Sequence, residues 1–223
     1  MSMNELSGTL REAREIPLFP LNVVLFPGMP LPLQVFEERY HRLIEACAAS
    51  GNIFGVALIR EGEEVGGFAE VWPVGTSAHI EQQEALPDGR LKIVTMGSER
   101  FEILQRLPDN PYPRAIVRMI DDRGQEVDPD LLREAQNALL RYLRSVARRM
   151  GQDWGDLTMP DDPALLGYVA GAVLACSLTE KQEILQAPTP ADRLTLAITM
   201  IQAEMNRRRE VRPYRPSGDI SPN

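Results

Sequence analysis

Two cysteines, two histidines and two lysines are all that this chain of 223 residues spares for the side chains that most often carry chemistry. Cys47 and Cys176 are far apart, each in an apolar helical context, and no Cys-x-x-Cys occurs, which reads as two buried free thiols in a reducing compartment. With only His41 and His79 beside them, a structural zinc site has too few ligands. His41 and Cys47 fall six residues apart on one helix, about 600° of rotation at ~100° per residue, so they point roughly opposite ways and make no nucleophilic pair. Gly-x-x-x-x-Gly-Lys-[Ser/Thr], Gly-x-Gly-x-x-Gly, His-Glu-x-x-His and Gly-x-Ser-x-Gly are all absent. No apolar run approaches the roughly 18 residues of a membrane span. The polar start, with Asn4, Glu5, Arg11, Glu12 and Arg14, is no signal peptide, so a cytoplasmic protein is expected.

Positive charge is also short. Acidic residues outnumber basic ones 32 to 24, for a formal charge of −8, which argues against a nucleic-acid or anionic-membrane partner. Of the basic residues only Lys92 and Lys181 are lysine, and both read as solvated: Lys92 by strand alternation, Lys181 in the first turn of a helix. Asp121-Asp122, Glu63-Glu64 and Asp161-Asp162 read as surface charge or caps rather than acid/base pairs. Arg141, Arg144 and Arg148 line one helix face away from the apolar seam, a solvated face with RNA contact as the alternative.

What is abundant is punctuation, then periodicity. The chain holds eighteen prolines and sixteen glycines, and in the first half they punctuate short apolar runs. Residues 16–33 hold too many prolines for a helix or a central strand, so short extended segments are expected, with a type II turn at Pro27-Gly28. A helix follows over 36–49, with Phe36, Tyr40, Leu43, Ile44 and Cys47 on one face. Strands are expected over 53–59, 69–72, 76–84, 90–96, 101–107 and 112–120, with a hairpin at Pro87-Asp88-Gly89 and a turn at Gly97-Ser98. Many short strands with regular turns predict a barrel. The second half is helical. Asp128-Pro129, Asp162-Pro163, Ser177-Leu178-Thr179-Glu180 and Thr189-Pro190 start its helices, and 165–176 is apolar almost all round. The fold class is therefore α+β: a β-barrel over 15–124, a helical bundle over 125–211 and a polar, proline-bearing tail over 212–223.

The order of short motifs adds a resemblance. Pro17-Leu18-Phe19-Pro20-Leu21, Val24-Leu25-Phe26-Pro27-Gly28, Pro32-Leu33, Phe36-Glu37 and Arg39-Tyr40 resemble the opening of the LON substrate-binding domain, the N-terminal domain of Lon proteases; Glu38 stands where that family often has proline. Phe54-Gly55-Val56, Val74-Gly75-Thr76, Asp88-Gly89-Arg90, Gly97, Arg100-Phe101, Lys181-Gln182, Ile184-Leu185, Arg193-Leu194 and Glu204 continue it in order. The resemblance implies a PUA-like β-barrel followed by a C-terminal α-helical bundle, and a role in capturing unfolded or tagged polypeptide. In Lon, ATPase and protease domains follow this region, and the 223 residues leave no stretch for either. The expectation is a non-enzymatic polypeptide-binding module without cofactor, metal or catalytic residue, an adaptor in protein quality control whose partners are client polypeptides and a protease or chaperone. An RNA-binding barrel is the alternative. The binding residues expected are Phe19, Phe26, Met29, Phe36 and Tyr40, at a Pro/Gly-shaped edge suited to an extended chain. The plain alternative is that Phe19, Phe26 and Phe36 fill the barrel core. Met29, just past the turn, is the one best placed for exposure.

Overall fold

The structure, a computed structural model, describes residues 13–49, 51–67, 69–122 and 124–210. The expected tail at 212–223 and residues 1–12 of the polar start lie outside the described residues. Among the described residues are seven strands and five helices. In chain order these are β1 (Arg14–Leu21), β2 (Pro30–Val35), α1 (Glu38–Ala48), β3 (Ile53–Gly62), β4 (Ala69–Val71), β5 (Val74–Ala85), β6 (Leu91–Arg106), β7 (Arg114–Ile120), α2 (Pro129–Arg149), α3 (Pro163–Val173), α4 (Leu178–Gln186) and α5 (Pro190–Glu210).

The strands form one sheet in the order β1-β7-β6-β5-β3-β4, and a further β1–β3 pairing closes the first five into a ring. All pairs are antiparallel except β1–β3. Prolines were expected to bar a central strand from the opening segment, yet β1 has a neighbour on each side. It changes partner half-way: Arg14 to Pro17 pair with β7, and Leu18 to Leu21 with β3. Apart from Leu18 N–H, which donates to Pro113 O at 2.8 Å, each half is laddered on one side, so the donors missing at Pro17 and Pro20 leave no gap.

A second departure is at Gly97. No turn occurs there, and β6 runs through it. Gly97 N–H donates to Met29 O at 2.9 Å and Gly97 O accepts from Gly28 N–H at 2.8 Å. A Cβ at this position would lie 2.3 Å from Phe26 O, so the glycine serves close approach. The four residues it meets, Phe26 to Met29, are the expected type II turn, with Gly28 at φ 79° and Met29 N–H bonded to Phe26 O at 3.0 Å. β2 then lies beside the first half of β6 and β7 beside the second.

The helices begin where their caps predict. Asp128 accepts from Asp130 N–H, Asp162 from Leu165 N–H and Thr189 from Asp192 N–H, while Ser177 and Glu180 cap each other reciprocally. α3 is shorter than its apolar run. It ends at Val173, and Tyr142 Oη accepts Ala175 N–H at 3.0 Å, holding the next residues out of the helix. The helices share their core with the sheet: Val24, Phe26 and Leu58 pack in one cluster with Leu139, Tyr142, Leu166, Ile184, Leu194 and Ile201. Phe26 is the wedge. Gly171 on α3 leaves it room, since a Cβ there would meet the ring at 2.4 Å. A second cluster under α1 holds Phe19, Tyr40, Leu43, Ile44 and Phe54.

Candidate polypeptide-binding site

The sharp passage from β2 into α1 sets up an apolar cleft in the sheet half. Glu37 occupies the N-cap position of α1 but caps nothing with its side chain. It turns instead to Arg39, at 3.1 Å, and to Gly66 N–H, at 3.1 Å. Arg39 in turn donates to Gly67 O at 3.0 Å, and Asn22 N–H donates to Glu64 Oε2 at 2.9 Å. Residues 63–67 are thus fastened across the mouth of β1, β2 and α1. Between them lies a cleft of about 170 Å³, with Phe19, Leu21, Leu33, Phe36 and Tyr40 on one wall and Glu64 and Val65 on the other.

Its floor is rigid. The Phe19 and Tyr40 rings stack at 4.0 Å with 9° between planes, Phe54 packs against Phe19 at 5.9 Å, and the Arg39 guanidinium sits 4.6 Å over Tyr40. Burial pushes the Tyr40 phenol up to about 12, against the pull of Arg39, so it stays neutral. The rim is soft and apolar: Phe36 is 56% exposed, and Val65 is exposed opposite it. Glu37 and Glu64 give the mouth a negative edge. This arrangement can take an apolar side chain and favours basic neighbours beside it.

Of the five residues expected at a binding surface, three line this cleft: Phe19, Phe36 and Tyr40. Phe19 and Tyr40 are buried and form its floor, while Phe36 alone of the five stands in solvent. Phe26 belongs elsewhere, fully buried against α3. Met29, expected exposed, is half-buried between the two clusters, because its backbone is pinned to Phe26 and Gly97 on both sides. The free side of β2 is also poorer in donors than an open strand. Met29 O bonds to Gly97 N–H, so alternate residues from Pro30 turn their backbone away from β6. Pro30 and Pro32 then leave few N–H groups for an added strand.

A second feature, at the joint between sheet and helices, escaped the sequence reading. Asp122, expected at the surface, has a side chain only 8% exposed. Arg100 donates to it through Nε at 2.9 Å and Nη2 at 2.5 Å, and through Nη1 to Leu185 O and Ala187 O at 2.7 and 2.9 Å. Arg193 reaches the same carboxylate at 3.3 Å, and the Tyr168 hydroxyl donates to it as well. Arg193 lies 4.4 Å over the Tyr168 ring. Burial alone would raise the Asp122 carboxyl, but the Arg100 and Tyr168 hydrogen bonds and the two guanidinium charges hold it below the usual range. Arg193 was findable: it stands four and eight residues before Ala197 and Ile201, on the buried side of α5. Lys181 is a further correction, since it is half-buried, with Nζ donating to Ala172 O at 2.9 Å and its ammonium pushed down by burial.

Residues 15–203 match the model of the ATP-dependent protease La (LON) substrate-binding domain. The chain belongs to that family. It is 34% identical over 199 residues to the Lon protease of Lawsonia intracellularis, covering 85% of this chain and 24% of that one. It is 30% identical over 202 residues to the Lon protease of Escherichia coli K12, covering 87% and 25%. The chain thus spans about a quarter of the length of these curated relatives. Among solved structures, the Lon N-terminal domain protein from Xanthomonas campestris superposes with a TM-score of 0.65 at 29% identity, covering 83% of this chain and 98% of that one. The N-terminal domain of Mycobacterium avium complex Lon protease gives 0.63 at 20% identity, covering 85% and 98%, and shares the fold. The family match over residues 15–203 is to the substrate-binding domain, and within it this LON domain carries both the cleft and the buried joint.

Proposed function

We propose that this LON domain is a non-enzymatic polypeptide-recognition module that takes apolar side chains of unfolded or flexible clients into the Phe19–Phe36–Tyr40 cleft, and that it serves as an adaptor in protein quality control. The single observation that carries the reading is an exposed phenylalanine at the mouth of an apolar cleft with a rigid aromatic floor. An apolar rim residue with no core to fill is the feature an interaction site requires and a packing role does not explain. The family's description as a substrate-binding domain supports the same reading. The closed ring of strands, which we read as the PUA-like barrel, acts as the scaffold that presents the cleft. Recognition runs through side-chain pockets more than through strand addition at β2, where the prolines remove donors.

The test is binding of a permanently unfolded, carboxymethylated protein to the purified chain. Phe36→Asp should weaken binding by about tenfold or more while leaving the fold intact. Absence of binding to several such clients, or full binding by Phe36→Asp, refutes the proposal.

A further inference from the structure

The arginines of α2 form a second surface that the cleft does not use. Several exposed arginines elsewhere have carboxylate partners: Arg42 has Glu38, Arg60 has Glu70, Arg90 has Asp88, and Arg133 on α2 itself has Asp130; Arg14 has none among the described residues. Arg141, Arg144, Arg148 and Arg149 have no such partner among the described residues. In a chain of net charge −8, four unpaired cations on the last turns of one helix are a local inversion of sign.

The face is also shaped. Past Arg149 the chain turns back through Gly151, at φ 65°, with Gln152 N–H bonded to Ala147 O at 3.0 Å. Residues 152–157 then run beside the end of α2 and border Ala147, which is buried one turn after Leu143 at the edge of the helix's apolar seam. The result is a cavity of about 300 Å³ between Arg144 and Arg148 on one wall and Trp154 and Leu157 on the other. Trp154 is 38% exposed, its indole N–H satisfied by Gln152 Oε1 at 2.8 Å, and Met150, just past the end of α2, is exposed. Two guanidiniums facing an indole offer forked donors for a carboxylate and an apolar wall for a neighbouring side chain.

We propose that this face docks an acidic polypeptide segment in which Asp or Glu alternates with an apolar residue. Charge complementarity selects the occupant. Arg141 to Arg148 cover about 10 Å of helix at ~1.5 Å per residue, enough for two or three carboxylates but a short track for a phosphate backbone. Asp153 lines the cavity too, its Oδ1 accepting Gly155 N–H at 2.9 Å, and with Asp156 nearby and the rest of the chain negative a long polyanion is penalised more than a few carboxylates. The site lies on a different element from the cleft and stands or falls separately.

The experiment follows Trp154 fluorescence in a Trp72→Phe background, which leaves a single tryptophan. The probes are a short peptide alternating Glu with Leu, its Gln-for-Glu counterpart and a single-stranded RNA oligonucleotide of equal length. The acidic peptide should bind, weaken as salt rises, lose about tenfold or more in affinity on Arg144→Glu with Arg148→Glu, and be unaffected by Phe36→Asp. Should the double reversal fail to fold, Arg144→Gln with Arg148→Gln is expected to give a smaller loss in the same direction. Equal binding of the Gln peptide, indifference to both arginine pairs, tighter binding of the RNA, or no binding of the acidic peptide each overturns the proposal.

Discussion

Removing the carboxylate of Asp122 tests the joint most directly. Asp122→Ala leaves two guanidiniums, Arg100 at 1% and Arg193 at 0% side-chain exposure, without their anion. Breaking a buried pair this way typically costs about 3–5 kcal/mol, most of it the penalty for the charge left behind. For a chain of this size each kcal/mol lowers the melting temperature by roughly 2–4 °C, so a fall of about 10 °C is expected. Differential scanning calorimetry on the variant measures it. Arg100→Met adds the decisive arm: in the Asp122→Ala background it removes one of the orphaned charges, so its cost should be smaller than in the wild type, with a coupling of about 1.5 kcal/mol or more. The pH dependence has a defined sign. The folded-state carboxyl titrates below its unfolded value of about 4, so its contribution is full above that value and fades as pH falls through the folded one. The stability gap between wild type and Asp122→Asn should therefore be flat above about pH 5 and narrow at lower pH. A melting shift under about 2 °C, or an additive cycle, would show that solvent from the neighbouring 290 Å³ cavity screens these charges and that the joint is held by packing alone.

Other consequences are quicker to check. Gly171→Ala drives a methyl into the Phe26 ring and should cost about 1–3 kcal/mol in urea unfolding, whereas Gly67→Ala, whose added methyl meets only Glu63 at ordinary contact distance, should cost far less. Phe36→Asp should change stability by no more than about 0.5 kcal/mol, which separates its binding phenotype from misfolding. Under native conditions iodoacetamide should modify half-buried Cys176 well before Cys47, whose thiol burial pushes up to about 12; mass spectrometry of the tryptic peptides distinguishes them. Because Phe26, Val24 and Leu58 complete the helices' core, sheet and helices should melt in a single transition, and two resolved transitions would contradict that shared core.

Much of the architecture was legible because local rules decided it. Helix starts were spelled out by caps followed by proline, and the β5–β6 hairpin by Pro87-Asp88-Gly89, where Gly89 has φ 85°. The misreadings share a different cause: each concerns a position whose conformation is set by a partner distant in sequence. Gly97 looks like a turn because nothing nearby announces that the Phe26 carbonyl will press against it. Pro17 and Pro20 look incompatible with an inner strand until β1's change of partner from β7 to β3 is known.

The candidate sites divide along the same line. Phe36 belongs by periodicity to the apolar face of its helix, but it lies two residues before α1 begins, outside the rotation that periodicity describes, and so it swings into solvent. Asp122 carries no local mark at all; its role is visible only once β6, α3 and α5 meet. A buried aspartate bridging two arginines from different halves of the chain is a costly way to hold a joint, since apolar residues of equal volume often hold one at least as well. What such a network adds is direction. Bidentate geometry at Arg100 and two backbone carbonyls at the end of α4 fix one orientation of the helices on the sheet, where apolar packing around Phe26 alone would tolerate several. That fixed orientation holds the cleft at β2 and α1 and the arginine face of α2 in one spatial relation, a condition for a single long client to engage both. A single peptide carrying a basic-flanked apolar anchor and a distal acidic stretch should then bind more tightly than either half alone, and Asp122→Ala should erase that gain before it erases the binding of the halves.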